Sequence, residues 1–323
     1  MKYFKLLPKT NIDFIGMRKW LFVISAVLML ACFGSIIFKG MNYGIDFTGG
    51  TVMQVHFKAL IDIKDIRSAL SEQNINADIQ TFIGKNTYAI KVKGSQEDVN
   101  DVSSKIEAAL NSTNVAFDVE QKDFVGPTVG NHLAKKAFFA FVFALGAMII
   151  YIGFRFQNII WGAMAVLALF HDVFLAVGIF SIFGIEVDLV IVAAFLTIAG
   201  YSVNDTIVIF DRVRENMHLN PKASLKELLN LSINETLSRT IITSLTVIGA
   251  TLLLFIFGGD VLRNFSLAML IGLFSGVYST VALVAGLVYQ WDKSGTYGVV
   301  AAAPVAQDAG FTSPKKANKK RHG

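Results

Sequence analysis

Between Trp20 and Phe38 the chain runs nineteen residues without a charged side chain, and comparable apolar stretches recur after residue 136. A helix rises about 1.5 Å per residue and bilayer hydrocarbon is about 30 Å thick, so each stretch is long enough to cross. No other feature restricts the fold as severely, because backbone polar groups in lipid must be satisfied within a helix or a closed barrel. Composition agrees: 54% of the 323 residues are hydrophobic and 16% charged, against about 25% charged in soluble domains. A soluble enzyme and a disordered chain are both excluded.

The first run follows Arg18 and Lys19 directly, as in a secretory signal. Signal cores, however, span only about 7 to 15 residues and end at small side chains, whereas this run ends in Phe38-Lys39-Gly40. It reads as an uncleaved transmembrane helix over 20–38, preceded by a segment over 1–19. Five further spans are expected: Ala137 to Phe154, Ile159 to about Ile185, Leu189 to about Phe210, Thr240 to Gly259, and Phe265 to Trp291. The expected fold class is therefore a polytopic α-helical membrane protein with six transmembrane helices, in which 39–136 form an extramembrane domain and 137–291 the remaining membrane domain.

Lysine and arginine counts in short loops orient such a chain. Residues 1–19, the loop 211–239 and the tail 292–323 are rich in Lys and Arg, while the opposite short loops hold only Arg263. Both termini are expected in the cytoplasm and 39–136 outside. That insert carries eleven Lys/Arg against twelve Asp/Glu, so the net charge of +5 belongs to the cytoplasmic segments. Nucleic acid loses its main support as a partner, and the basic tail reads as disordered and drawn to lipid. Cys32 is the only cysteine, and no Cys/His cluster has metal-ligand spacing, so no disulfide, metal or cofactor is expected.

Within the insert, Thr51 to Phe57 alternates as a strand, and Asp62 to Gln73 places Ile63, Ile66 and Leu70 on one helical face. Asp78 to Ile83 and Thr87 to Lys93 flank Gly84-Lys85-Asn86 as a hairpin. Ser95 to Asp98 resembles a capping box opening a second helix, and Asn114 to Gln121 closes the order β-α-β-β-α-β. That order suits a ferredoxin-like α+β domain. His56 reads as a surface or edge strand residue.

Ionisable residues inside spans are functional candidates, since each costs several kcal/mol unless paired or hydrated. Asp205 leads, on a stripe with Thr197, Tyr201, Asn204 and Val208; its plain alternative is a carboxylate near the cytoplasmic headgroups that reaches water. Arg239 opens the fifth span beside Thr243, Ser244, Thr246 and Ala250, and by itself reads as a snorkelling anchor. His171 and Asp172 are adjacent, about 100° apart on a helix, so no dyad between them is expected; an interhelical bond and a proton relay stand equal. Gly272, Gly276 and Thr280, with Ser275 and Ser279, read as packing rather than chemistry. Ser224 to Leu237 reads as a helix lying on the membrane surface, with a soluble hairpin helix as the alternative.

Several blocks together resemble the SecD/SecF family of protein-export membrane proteins, over about residues 12 to 290. They are Asp46-Phe-Thr-Gly-Gly50, Phe124-Val-Gly-Pro-Thr-Val-Gly130, Ala168-Leu-Phe-His-Asp172, and Gly200-Tyr-Ser-Val-Asn-Asp-Thr-Ile-Val208 running on to Asp211-Arg-Val-Arg-Glu-Asn216. Phe170 stands where the family commonly has a small residue. The resemblance implies a non-enzymatic, six-span accessory subunit of the bacterial Sec machinery in the inner membrane, related to resistance-nodulation-division transporters. It implies pairing with SecD, association with the SecYEG channel and with YajC and YidC, and use of the proton gradient on a translocating preprotein. By motif position it makes Asp205 the proton-carrying carboxylate and Arg239 its charged partner, with Asn204, Asp172 and His171 as further candidates. Two other readings stand beside it: an intramembrane aspartyl hydrolase using Asp172 and Asp205, which lacks the Gly-x-Gly-Asp pattern, and a non-catalytic scaffold.

Overall fold

The computed structural model describes residues 10–82, 86–94, 99–156 and 158–291. The chain opens with α1 (Phe14–Phe38), earlier than the apolar run alone predicts. The Asp13 carboxylate accepts the Gly16 N–H at 2.8 Å and so caps the helix, which carries the start past Arg18 and Lys19. After α1 come β1 (Asn42–Tyr43) and a single turn α2 (Ile45–Thr48).

The α+β domain follows as β2 (Gly50–Phe57), α3 (Ile63–Glu72), β3 (Asp78–Thr81), β4 (Thr87–Lys93), α4 (Val99–Asn111) and β5 (Phe117–Val125). This is the expected order of elements. The strands lie β3-β4-β2-β5, with every neighbouring pair antiparallel. Alternation puts Met53, Val55, Phe57, Tyr88 and Ile90 on one face, where Ile66, Leu70, Ile106 and Leu110 from the two helices close a core of their own. The hairpin residues Gly84 and Lys85, the capping residues Ser95 to Asp98, residues 1–9 and the tail 292–323 lie outside the described residues.

The membrane portion continues with α5 (Pro127–Phe156), α6 (Ile159–Phe183), β6 (Glu186–Val187), α7 (Leu189–Leu219) and α8 (Leu225–Phe257). It ends in α9 (Gly259–Tyr278), a π-helical segment (Ser279–Val284) and α10 (Ala285–Trp291), which together make one span. Six helices of the described residues are thus long and apolar enough to cross a membrane. α6, α7 and the last span form the buried centre, while α1 and α5 expose most of their side chains at the periphery. A multi-pass membrane protein results.

Two glycine motifs join the portions. Gly49 and Gly50 have φ of 72° and 144°, conformations that suit glycine. A Cβ on Gly130, in the first turn of α5, would lie 2.9 Å from the Gly49 nitrogen and 3.0 Å from the Phe47 carbonyl oxygen. Backbone meets backbone there, so Asp46 to Gly50 and Gly126 to Gly130 need their small residues for contact.

The helix lying on the membrane surface over Ser224 to Leu237 is a misreading. α7 runs on to Leu219, and after a short turn the same residues form the first half of α8. Leu229 and Ile233 pack in the main core with Phe210 and Val213. Asn216 donates to Ser232 at 2.9 Å and to Glu235 at 2.8 Å, and Arg212 donates to Glu235 at 2.7 Å. The other side of α8 holds residues 12–15: Asn234 exchanges two 2.9 Å bonds with the Ile12 backbone, and Asn230 accepts from the Ile15 N–H at 3.1 Å. Both faces are occupied, so the segment stands in a helical hairpin.

Candidate functional site

Inside an apolar bundle a carboxylate needs donors, and the two carboxylates of this bundle meet that need in opposite ways. Asp172, in the middle of α6, is wholly buried. Its Oδ2 accepts from the Ser202 hydroxyl at 2.5 Å and from Ser279 at 2.6 Å; its Oδ1 accepts from Ser275 at 2.6 Å and lies 3.1 Å from His171 Nδ1. Three helices meet at one side chain.

Two expectations are corrected by this cluster. Adjacent Cβ atoms diverge by about 100°, yet the imidazole and carboxylate extend beyond Cβ and turn toward each other, so His171 and Asp172 do form a contact. Ser275 and Ser279, read as packing, supply two of the donors. Ser202 was missed as well, although it lies inside the quoted motif. The available signal was a pair of hydroxyls four apart on one span, in a chain with an intramembrane carboxylate that needs them. His171 Nε2 is buried without a hydrogen-bond partner among the described residues.

Asp205 sits one turn beyond Ser202 on α7 and is also buried, 5% exposed. The Arg239 charge on α8 acts on its carboxylate, while the buried Ser244 hydroxyl, also on α8, makes no hydrogen bond among the described residues. Among the described residues no direct ion pair joins Asp205 to Arg239. The structure therefore brings this predicted pair into electrostatic reach without closing it. Asp172 and Asp205 contact different groups, and none of their donors is shared.

The expected single stripe on α7 divides. Asp205 turns inward with Ser202 and Thr206, whereas Asn204 and Thr197 are exposed, as a step of about 100° between neighbours requires. Arg239, Thr243 and Thr246 are exposed on α8. Both threonine hydroxyls bond back to their own helix, to the carbonyls of Arg239 at 2.9 Å and Thr243 at 2.7 Å. In the α+β domain, His56 Nδ1 meets Thr87 Oγ1 at 2.9 Å across two strands, a structural bond on the sheet.

The family description "Protein export membrane protein SecD/SecF, C-terminal" matches residues 105–294, and "SecD/SecF GG Motif" matches residues 34–59. The chain belongs to the SecD/SecF protein-export family. It is 40% identical over 295 residues to a protein translocase subunit SecF of Endomicrobium trichonymphae, covering 90% of this chain and 94% of that one. It is 42% identical over 287 residues to the SecF subunit of Calditerrivibrio nitroreducens, covering 87% and 94%. Among solved structures, SecDF of Thermus thermophilus superposes with a TM-score of 0.79 at 35% identity over 88% of this chain. A SecDF in a super-membrane-facing form gives 0.68 at 34% identity over 89%. The chain spans 39% of the length of each SecDF chain. The matched SecD/SecF segments contain Gly49 and Gly50 in the GG motif, and Asp172, Asp205 and Arg239 in the C-terminal region.

Proposed function

We propose that the chain is the SecF-type accessory subunit of a bacterial Sec preprotein translocase, in which Asp205 carries protons whose passage drives export. The carrying observation is the contrast between the two buried carboxylates. Asp172 has its acceptor capacity filled by three hydroxyls and an imidazole, whereas the group that acts on Asp205 is the Arg239 charge, with no ion pair between them among the described residues and the nearby Ser244 hydroxyl left unbonded. A carboxylate held that loosely can gain and lose a proton as its distance from Arg239 changes.

Exposed Asn204, Arg239, Thr243 and Thr246 belong to helices that cross hydrocarbon, where such groups face protein or a hydrated cavity and not lipid. This supports pairing with a SecD-type six-helix partner, so that the two halves enclose the pathway. The subunit works in the cytoplasmic membrane, with both termini inside and the outer domain, ferredoxin-like by its strand order, in the periplasm against emerging preprotein. SecYEG is its channel, with YajC and YidC as associated proteins. Protons are the coupling ion and no cofactor takes part.

The test is export into vesicles with and without a proton gradient, for wild type, Asp205→Asn and Arg239→Gln, with co-purification of the partner as the assembly control. The expected result is an assembled complex that has lost gradient-stimulated export in Asp205→Asn. Unchanged stimulation in an assembled Asp205→Asn complex overturns the reading.

A further inference from the structure

Asp172 is drawn into neither the proton step nor the partner surface, yet it is wholly buried and accepts three hydroxyl hydrogen bonds. Its three hydroxyl contacts come from three elements. Ser202 is on α7, Ser275 is on α9, and Ser279 is the first residue of the π-helical segment. A π-helical turn is rare and concentrates at functional sites, because the extra residue re-aims the side chains around it. Here the turn begins at a hydroxyl that donates both to Asp172 at 2.6 Å and to the Gly276 carbonyl at 3.2 Å. Beside this cluster, Thr206 Oγ1 and Thr280 Oγ1 approach to 3.4 Å, which extends the contact of α7 with the π segment as far as the neighbour of Asp205.

We propose that Asp172 is a positioning residue for Asp205. Its carboxylate pins α7, through Ser202, against α6 and the π segment, and so sets the rotation of α7 that aims Asp205 at Arg239 and Ser244 on α8. The inference rests on the reading of Asp205 as the proton carrier. α8 supplies no donor to Asp172 among the described residues, so the clamp holds one side of the Asp205–Arg239 pair and leaves the other side free to move. A hydroxyl donated to a buried carboxylate at 2.5 to 2.6 Å is a charge-assisted bond, stronger and more directional than a neutral one. Three of them on one acceptor define the relative rotation of three helices, which apolar packing alone does not. The titratable and charged groups around the two carboxylates are His171 on α6, Arg239 on α8 and Tyr278 on α9, whose ring lies 6.3 Å from that of His171.

The experiment uses the assembled complex in membranes and a hydrophobic carbodiimide, which reacts with protonated carboxyls in apolar surroundings. Mass spectrometry of the peptide containing Asp205 gives its labelling as a function of pH. Ser202→Ala removes one donor and little volume, and the expected result is a labelling midpoint displaced by roughly half to one pH unit, the size one hydrogen bond corresponds to. Ser202→Thr, which keeps the hydroxyl, retains the wild-type midpoint. Ser279→Ala, acting on the same carboxylate oxygen from the π segment, displaces the midpoint in the same direction as Ser202→Ala. An unchanged midpoint in assembled Ser202→Ala and Ser279→Ala complexes overturns the proposal. Failure of the underlying reading is seen separately, as undiminished gradient-driven export in Asp205→Asn, a result that leaves the labelling comparison intact.

Discussion

Lys91 on the outer sheet donates to Glu186, between α6 and α7, with Nζ 2.5 Å from Oε2 and the two side chains only 18% and 14% exposed. Lys93 stands 4.0 Å from the other carboxylate oxygen of Glu186 and donates to Asn42 at 2.6 Å. Asn42 and Glu186 are themselves partners in the short parallel pairing of β1 with β6. A little further on, Asp46 accepts the Leu189 N–H at 3.1 Å, at the first residue of α7. The α+β domain is thereby fastened to the end of the helix whose interior carries Asp205.

Separating Lys91 from Glu186 is expected to loosen that attachment. Either Lys91→Ala or Glu186→Ala leaves a largely desolvated charge, and a double-mutant cycle should give a coupling of about 1 to 2 kcal/mol, between values for exposed and fully buried pairs. Thermal unfolding of the purified protein measures it. The charge-reversed double variant, Lys91→Glu with Glu186→Lys, should recover part of the loss.

Asp188 caps α7 by accepting the Ile191 N–H at 2.8 Å. Burial raises its carboxyl above the ordinary value, and the nearby charges of Asp46 and Glu186 add to that against the opposing effect of Lys91. A carboxyl raised in the fold is easier to protonate there than in the unfolded chain, so stability falls as pH rises through the folded value. Asp188→Asn keeps the cap and removes the charge. It should be more thermostable than wild type at neutral pH, with an advantage that shrinks on acidification.

At the other end of the bundle Asp13 behaves oppositely. The Lys226 ammonium, then the Gly16 N–H and the Asn230 amide, hold its carboxyl at about 2, below the ordinary 3.8. Its contribution is present above the unfolded value and is lost as pH falls through the folded one. The difference in unfolding temperature between wild type and Asp13→Asn should therefore be constant near neutrality and shrink between about pH 4 and pH 2. A pH-independent difference would contradict this assignment.

Where α1 crosses α6, a Cβ on Gly178 would lie 3.0 Å from the Cys32 Cα. Backbone cannot yield as a side chain can, so Gly178→Val should destabilise by about 1 to 3 kcal/mol through overpacking. On α1 itself, Gly34 has nothing within 4 Å of the same position, so Gly34→Ala should be tolerated. Parallel unfolding curves for the two variants separate a crossing effect from a general intolerance of larger residues.

Much of this architecture was legible because hydropathy and alternation are properties of neighbours along the chain. The runs beginning at Trp20 and Ile159, and the alternation of Met53, Val55 and Phe57, are read within a single window. Misreadings occurred where distant residues decide. The first half of α8 looked like a surface helix because its polar side chains, Asn230, Ser232 and Asn234, had no visible partners; Asn216 and residues 12–15 supply them. Likewise Asn204 and Asp205 seemed to share one stripe until packing turned one outward and the other inward.

The sequence by itself determined six apolar stretches long enough to cross a membrane and one α+β domain among them, and which few ionisable side chains remain in those stretches. Uncharged length and side-chain period are enough for that. Only the tertiary structure decided what those side chains do. The donors that fill Asp172 lie 30, 103 and 107 residues away, while Asp205 is left with the charge of Arg239 and, among the described residues, an unbonded Ser244 beside it. Whether a buried carboxylate is clamped or free depends on hydrogen bonds across helices, and separation along the chain carries no record of them.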